Sequence, residues 1–387
     1  MSNYKLSIVP LLVLTFLTSC FSDATTEKPA ENQAISLQKK SETAKSDSIH
    51  QIIAEVVNAG NAPGMIAAVI SGKGIMAIAS AGERKVNSGI SFTTDNVLHL
   101  GSCGKAMTAT MLATLIADGK LRWDTKLIEA IPELKNIIHK DYHEITLARL
   151  LTHRAGLPQN WESNPFNIQG IKKRRLAILE SNLREPAPHE IDTFHYSNFG
   201  YVIAACMAEH VTGLSWENLM KKRLFEPLGM STAGLGNPNK FWSTAQPWGH
   251  NRYDRKWRPS NSYFGAVIGP AGRIHCNISD WAKFITLQLD AENPILERKY
   301  LDKLIEPVDY YASGWFVTEY EWAKGTTLIH GGTNRIWYTL LVITPKLDRA
   351  FVVATNSCSL DSTPGICSEV INKLISMELK TSIKGNW

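Results

Sequence analysis

Beyond its first nineteen residues the chain has no stretch that is apolar for long enough to read as a membrane-spanning helix. Charge of one sign is scarce too. The 41 Lys and Arg against 36 Asp and Glu leave a net +5 over 387 residues, too little for overall charge to name a polyanionic partner. The one basic, aromatic stretch, HNRYDRKWR at His250–Arg258, reads as a solvated loop, and the export signal described below argues against nucleic acid as its partner. Six cysteines form no even framework. Cys20 stands apart, Cys358 and Cys367 are close enough in sequence to bridge a loop, and free buried thiols fit equally well. There is no HExxH arrangement. His139 and His143 have the i,i+4 spacing of metal ligands but sit among loop-like polar residues, so no metal is expected.

Of what is present, residues 1–19 have the form of a targeting segment, with Lys5 as its positive end and Leu6–Leu17 as an apolar core too short to span a bilayer. Leu17-Thr18-Ser19-Cys20 resembles the lipobox of bacterial lipoproteins, which implies lipidation at Cys20 and a domain held at a membrane in the cell envelope. Phe21–Asp47 is rich in Thr, Ser, Lys, Glu, Ala and Gln, so residues 20–47 are expected to be a flexible tether. The rest divides into a catalytic domain over 48–380, with a helical subdomain inserted at roughly 120–260, and a tail over 381–387.

The chemistry centres on Ser102-Cys103-Gly104-Lys105, which opens a helical run from Ala106 to Gly119 that is free of charge until Asp118. Residues three apart share a helix face, so Ser102 and Lys105 stand side by side. A serine hydroxyl becomes a competent nucleophile when a neighbour takes its proton, and a lysine does so only when burial or nearby positive charge lowers its pKa. Free N–H groups at a helix start also face developing negative charge. The spacing alone is weak, because Ser36-Leu37-Gln38-Lys39 has it too, without the preceding apolar run Asn96–Gly101 or a following apolar helix. Cys103 is a rival nucleophile, but two residues from Lys105 it faces elsewhere and reads as packing.

Ser48–Asn58 reads as a helix, and Met65–Ser71 and Ile75–Ala81, joined by Gly72-Lys73, as a hairpin. Short strands are expected at Gly314–Thr318, Thr326–His330, Thr339–Ile343 and Arg349–Thr355, followed by a helix over Ile366–Leu379. The class is α+β: one antiparallel sheet made from both termini, flanked by helices, with a helical insertion between.

Leu98–Lys105, Leu150-Leu-Thr-His-Arg-Ala-Gly-Leu-Pro158, Phe194-His-Tyr-Ser-Asn-Phe-Gly-Tyr201, Phe225-Glu-Pro-Leu-Gly-Met230, Ala271-Gly272 with Asp280, and His330-Gly331-Gly332 follow one another in an order that resembles the serine β-lactamase and penicillin-binding protein superfamily. The closest likeness is to its class C-like branch of esterases, peptidases and β-lactamases. The resemblance implies the β-lactamase/DD-peptidase-like fold and an acyl-enzyme on Ser102. It pairs Lys105 and Tyr196 as proton carriers, with the identity of the base open. Asn198 is expected to offer its amide to substrate or to Lys105. The backbone N–H groups of Ser102 and Thr333 would form the oxyanion hole beside Gly331 and Gly332. His330 stands where related enzymes carry a lysine that attracts a substrate carboxylate. Being largely neutral above about pH 6.5, it favours an esterase or peptidase over an efficient β-lactamase, unless Arg335 restores a cation. Alternatives are a β-lactamase or DD-carboxypeptidase acting on β-lactams or cell-wall peptides, and a sensor or scaffold that is acylated without turnover. The expected partners are a small ester, amide or peptide and a membrane, and the chemistry needs neither metal nor cofactor.

Overall fold

The computed structural model describes residues 28–163, 167–239, 243–262, 265–289 and 294–380. The chain divides into two compact units, Met1–Ser41 and Glu42–Trp387. The targeting segment, Cys20 and the tail over 381–387 lie outside the described residues. So do the side chains of Ser36 and Lys39, whose backbone is helical.

Helix α1 (Lys28–Asn58) begins well before the expected Ser48, which corrects the reading of 20–47 as wholly unstructured. Within the second unit its last turns are fastened by polar contacts. Lys45 pairs with Glu378 at 2.9 Å, and Ser46 accepts the Ile78 N–H at 3.3 Å.

The main sheet has the order β2 (Gly74–Gly82), β1 (Gly64–Ser71), β11 (Arg349–Thr355), β10 (Tyr338–Thr344), β9 (Gly325–Thr333), β8 (Phe316–Tyr320), antiparallel throughout. Side chains alternate across a strand. In β1, Ile66, Ala68 and Ile70 enter one apolar cluster, while Met65, Ala67 and Val69 enter another beneath Ile49 and Ile53 of α1 and Val370, Ile371 and Leu374 of the last helix, Thr363–Leu379. Both faces are therefore covered, and the run GMIAAVIS is buried along its whole length.

Everything from 83 to 315 is inserted between β2 and β8, a wider insertion than the 120–260 expected, and it is not purely helical. It holds a three-stranded sheet of β3 (Leu98–His99), β7 (Ile274–Cys276) and β4 (Gly234–Leu235), and a hairpin of β5 (Gly249–Tyr253) and β6 (Lys256–Ser260). That hairpin replaces the solvated loop expected at His250–Arg258. His250 is buried at its base, where its ring accepts the Val86 N–H at 3.1 Å and donates to the Asn356 carbonyl at 2.7 Å.

Helix α2 (Gly104–Ala117) is buried on every side from Gly104 to Leu115, as an all-round apolar helix must be. Glycines bring the sheet against its start. A Cβ on Gly101 (φ +52°) would collide with the Thr333 N–H, and one on Gly332 with the Leu100 carbonyl. Behind it, Arg175 of α3 (Ile171–Asn182) is fully buried. It pairs with Glu209 of α4 (Asn198–Thr212) at 2.6 Å and Glu217 of α5 (Trp216–Met220) at 2.5 Å. Its remaining donors hold the carbonyls of Val267 and Ala266, which lead into the short turn Gly269–Gly272 facing Lys105.

Candidate active site

The Lys105 side chain is 0 % exposed, and its Nζ lies 3.1 Å from Ser102 Oγ, 2.7 Å from Asn198 Oδ1 and 2.7 Å from the Ala271 carbonyl. Burial lowers its pKa from the usual lysine value to about 7. A neutral amine has two N–H donors and one lone pair. Two carbonyl oxygens at 2.7 Å take the donors, which leaves the lone pair for the Ser102 hydroxyl.

Tyr196 is pushed the other way. Burial raises its pKa, only partly offset by its side-chain hydrogen bond with Ser102, so its hydroxyl keeps its proton through the neutral range. The Lys105 amine stands 4.8 Å from its ring centroid. Of the two expected proton carriers, Lys105 has the basic lone pair and Tyr196 the proton to donate. Asn198 turns its carbonyl to Lys105 and its Nδ2 to Asn160 Oδ1 at 3.0 Å, and the cap of α4 is Ser197, whose Oγ accepts the Gly200 N–H.

His330 is buried and held neutral. Its Nδ1 donates to the Gly331 carbonyl at 2.7 Å, leaving Nε2 to accept the Tyr311 hydroxyl at 3.3 Å. Burial, then the Lys105 charge, lowers its pKa to about 3, which overturns the expectation that it would charge near pH 6.5. Arg335 is exposed, on a left-handed residue at φ +72°. Cys103 packs inward, its thiol donating to the His330 carbonyl at 3.3 Å, and burial raises its pKa to about 12. All five cysteines among the described residues are buried and free, so Cys358 and Cys367 form no bridge. The His139 ring accepts the Asp141 N–H at 3.3 Å, a capping contact at a 3-10 turn.

The family profile described as Beta-lactamase matches residues 49–364. The chain belongs to the beta-lactamase family. Among curated beta-lactamase relatives it is 24 % identical over 286 residues to Penicillin-binding protein 4 of Amycolatopsis lactamdurans, covering 70 % of this chain and 74 % of that one. It is 23 % identical over 342 residues to the Unguisins hydrolase ungD' of Aspergillus campestris, covering 79 % of this chain and 61 % of the relative, so it spans about three fifths of that protein's length. Its fold is similar to the D-amino acid amidase from Ochrobactrum anthropi SV3, with TM-score 0.71, 20 % identity, and coverage of 86 % of this chain and 99 % of that one. The class C beta lactamase from Rhodobacter sphaeroides gives TM-score 0.70 and 18 % identity, covering 87 % of this chain and all of that one.

One residue of this site carried no role in the sequence reading. His153 belongs to the Leu-Leu-Thr-His segment, and it seats Tyr196 from both sides. Its carbonyl accepts the His195 N–H at 2.8 Å, and its Nδ1 accepts the Ser197 N–H at 3.1 Å. Its ring packs on Tyr196 with centroids 4.3 Å apart. Burial, then the Lys105 charge, holds it neutral, which keeps Nδ1 free to accept. Its backbone is left-handed at φ +61°, a conformation asparagine tolerates well. His153→Phe keeps a ring but leaves the Ser197 N–H buried without a partner, so kcat on an activated ester is expected to fall by about tenfold or more with KM little changed. His153→Asn restores an acceptor and should recover most of that loss. Equal kcat in the Phe variant and wild type, with both folded by circular dichroism, would remove His153 from the site.

Proposed function

We propose that this chain is a serine hydrolase that cleaves an ester or amide through an acyl intermediate on Ser102, with Lys105 as the base of the free enzyme. The observation that carries this reading is the desolvated Lys105 amine 3.1 Å from the Ser102 hydroxyl, its two N–H groups taken by Asn198 and Ala271. In acylation the Ser102 proton passes to Lys105 Nζ as the Oγ–carbon bond forms. The carbonyl oxygen takes the negative charge against the N–H groups of Ser102 and Thr333. As the carbon–leaving-group bond breaks, the Tyr196 hydroxyl gives its proton to the leaving oxygen or nitrogen and is reprotonated from the Lys105 ammonium. Water then attacks the acyl carbon, its proton returns to the same pair, and free Ser102 and a carboxylic acid result. The similarity to the Unguisins hydrolase and to the D-amino acid amidase supports hydrolysis as the reaction class.

His330 supports a substrate without a carboxylate at that position, because a buried neutral imidazole offers no charge to an anion. A short neutral ester should therefore be cleaved far faster than nitrocefin at pH 7.5, and Ser102→Ala should abolish both turnover and labelling by a fluorophosphonate probe. Efficient nitrocefin hydrolysis would contradict the ester or amide preference. Labelling that survives in Ser102→Ala but is lost in Cys103→Ala would move the nucleophile to the thiol. Labelling without turnover of any ester would favour an acylated sensor.

Attachment to a membrane in the cell envelope through a lipid on Cys20 is part of the same proposal and rests on the Leu6–Leu17 core and the Leu17–Cys20 segment. Cys20→Ala should move the protein from the membrane fraction to the soluble exported fraction with unchanged specific activity. Retention of that variant in membranes would contradict the anchor.

A further inference from the structure

Among the described residues six large hydrophobic side chains are exposed, and three of them lie between 308 and 316: Val308 (47 %), Tyr310 (49 %) and Phe316 (37 %). Apolar surface left in water at one place is normally surface that something covers. The segment is pinned from several directions. Arg154 donates to the Val308 carbonyl at 2.8 Å and to the Asp309 carboxylate. The Val317 N–H donates to the Tyr310 carbonyl at 2.8 Å. Gly314, at φ +93°, packs on the start of α2 so tightly that a Cβ there would sit 2.5 Å from the Ala106 nitrogen. The aromatic residues are thus held against the backbone next to Lys105.

Their rings are continuous with the site. Tyr310 and Phe316 are parallel within 1°, with centroids 6.4 Å apart, and Phe194 lies 5.0 Å from Tyr310. Phe316 is 5.8 Å from the His330 ring, and Phe194 precedes Tyr196 by two residues. The rings therefore border the side of Ser102 occupied by Tyr196 and His330. In the proposed reaction the leaving group takes the Tyr196 proton, so it lies on that side. The charges near the rings are accounted for: His330 is neutral, and Arg154, beside Phe194, is buried and ion-paired through Nη2 with the Asp309 carboxylate.

We propose that Phe194, Tyr310 and Phe316 form the leaving-group subsite and take the uncharged aryl or bulky apolar alcohol or amine portion of the substrate. This deepens the serine-hydrolase reading and rests on it. Aromatic faces offer such a group large contact area and offset or edge-on ring packing. The test holds the acyl group and leaving-group acidity nearly constant by comparing 2-phenylethyl acetate with ethyl acetate. Wild-type kcat/KM should favour the phenylethyl ester by about tenfold or more, the scale expected for covering one ring. Tyr310→Ala with Phe316→Ala should bring the ratio to within about twofold of one, and Phe316→Leu, which keeps apolar bulk, should retain part of it. Fluorophosphonate labelling of Ser102 is run on the same samples. Labelling with a wild-type ratio near one, with a ratio unchanged in the double variant, or with neither ester cleaved overturns the subsite alone. Loss of both labelling and turnover in the folded wild type overturns the hydrolase reading beneath it.

Discussion

The Lys105 amine is fully buried, and much of the site is arranged to make that tolerable. An isolated ammonium in such a place is costly, and the usual relief is to lose the proton. The surroundings then favour the neutral form geometrically. Asn198 and Ala271 supply two carbonyls for two N–H groups, and Ser102 supplies the hydroxyl that meets the lone pair. Each partner comes from a different part of the fold: Asn198 from the first residue of α4, Ala271 from the turn fastened through Arg175, and Ser102 from the turn that Gly101 and Gly332 let pack against β9.

The same desolvation extends outward as a shell of neutral polar rings. Tyr196, Tyr201 and Tyr311 are all pushed toward their protonated forms by burial, while His153 and His330 are pushed toward their neutral ones. Each histidine then has one tautomer that satisfies its neighbours. His330 donates to Gly331 and accepts from Tyr311, and His153 accepts from the Ser197 N–H. With these tyrosines and histidines uncharged, the surroundings match a neutral substrate, and the reaction's charge develops chiefly on Lys105 and the oxyanion.

Much of this was legible in the sequence wherever pattern and chemistry coincide locally. The two strands around Gly72-Lys73 showed themselves by continuous apolar runs ended by turn residues. Ser102 and Lys105 showed themselves by helical spacing before an uncharged helix. What escaped depends on contacts distant in sequence or on polar fastening. The start of α1 is polar, and its last turns are held by Lys45 to Glu378, a pairing that composition does not reveal. β3, β4 and β7 are two or three residues long, too short for a period of two to register. The β5–β6 hairpin turns at Asp254 and Arg255, both left-handed without a glycine, and only its base is buried. The neutrality of His330 comes first from burial and then from the nearby Lys105, an environment that only the fold creates.

The proposed acylation depends on the charge of one amine in the resting protein. Titration of the lysine side-chain resonances by NMR in the folded, full-length protein, with Lys105→Arg to assign the signal, measures it directly. A Lys105 signal that titrates near pH 7, well below the other lysines, is the predicted result. A Lys105 signal that titrates near 10.5 with the rest would mean an ammonium beside Ser102 throughout the neutral range, and Lys105 would then lack the lone pair on which the proposed acylation depends.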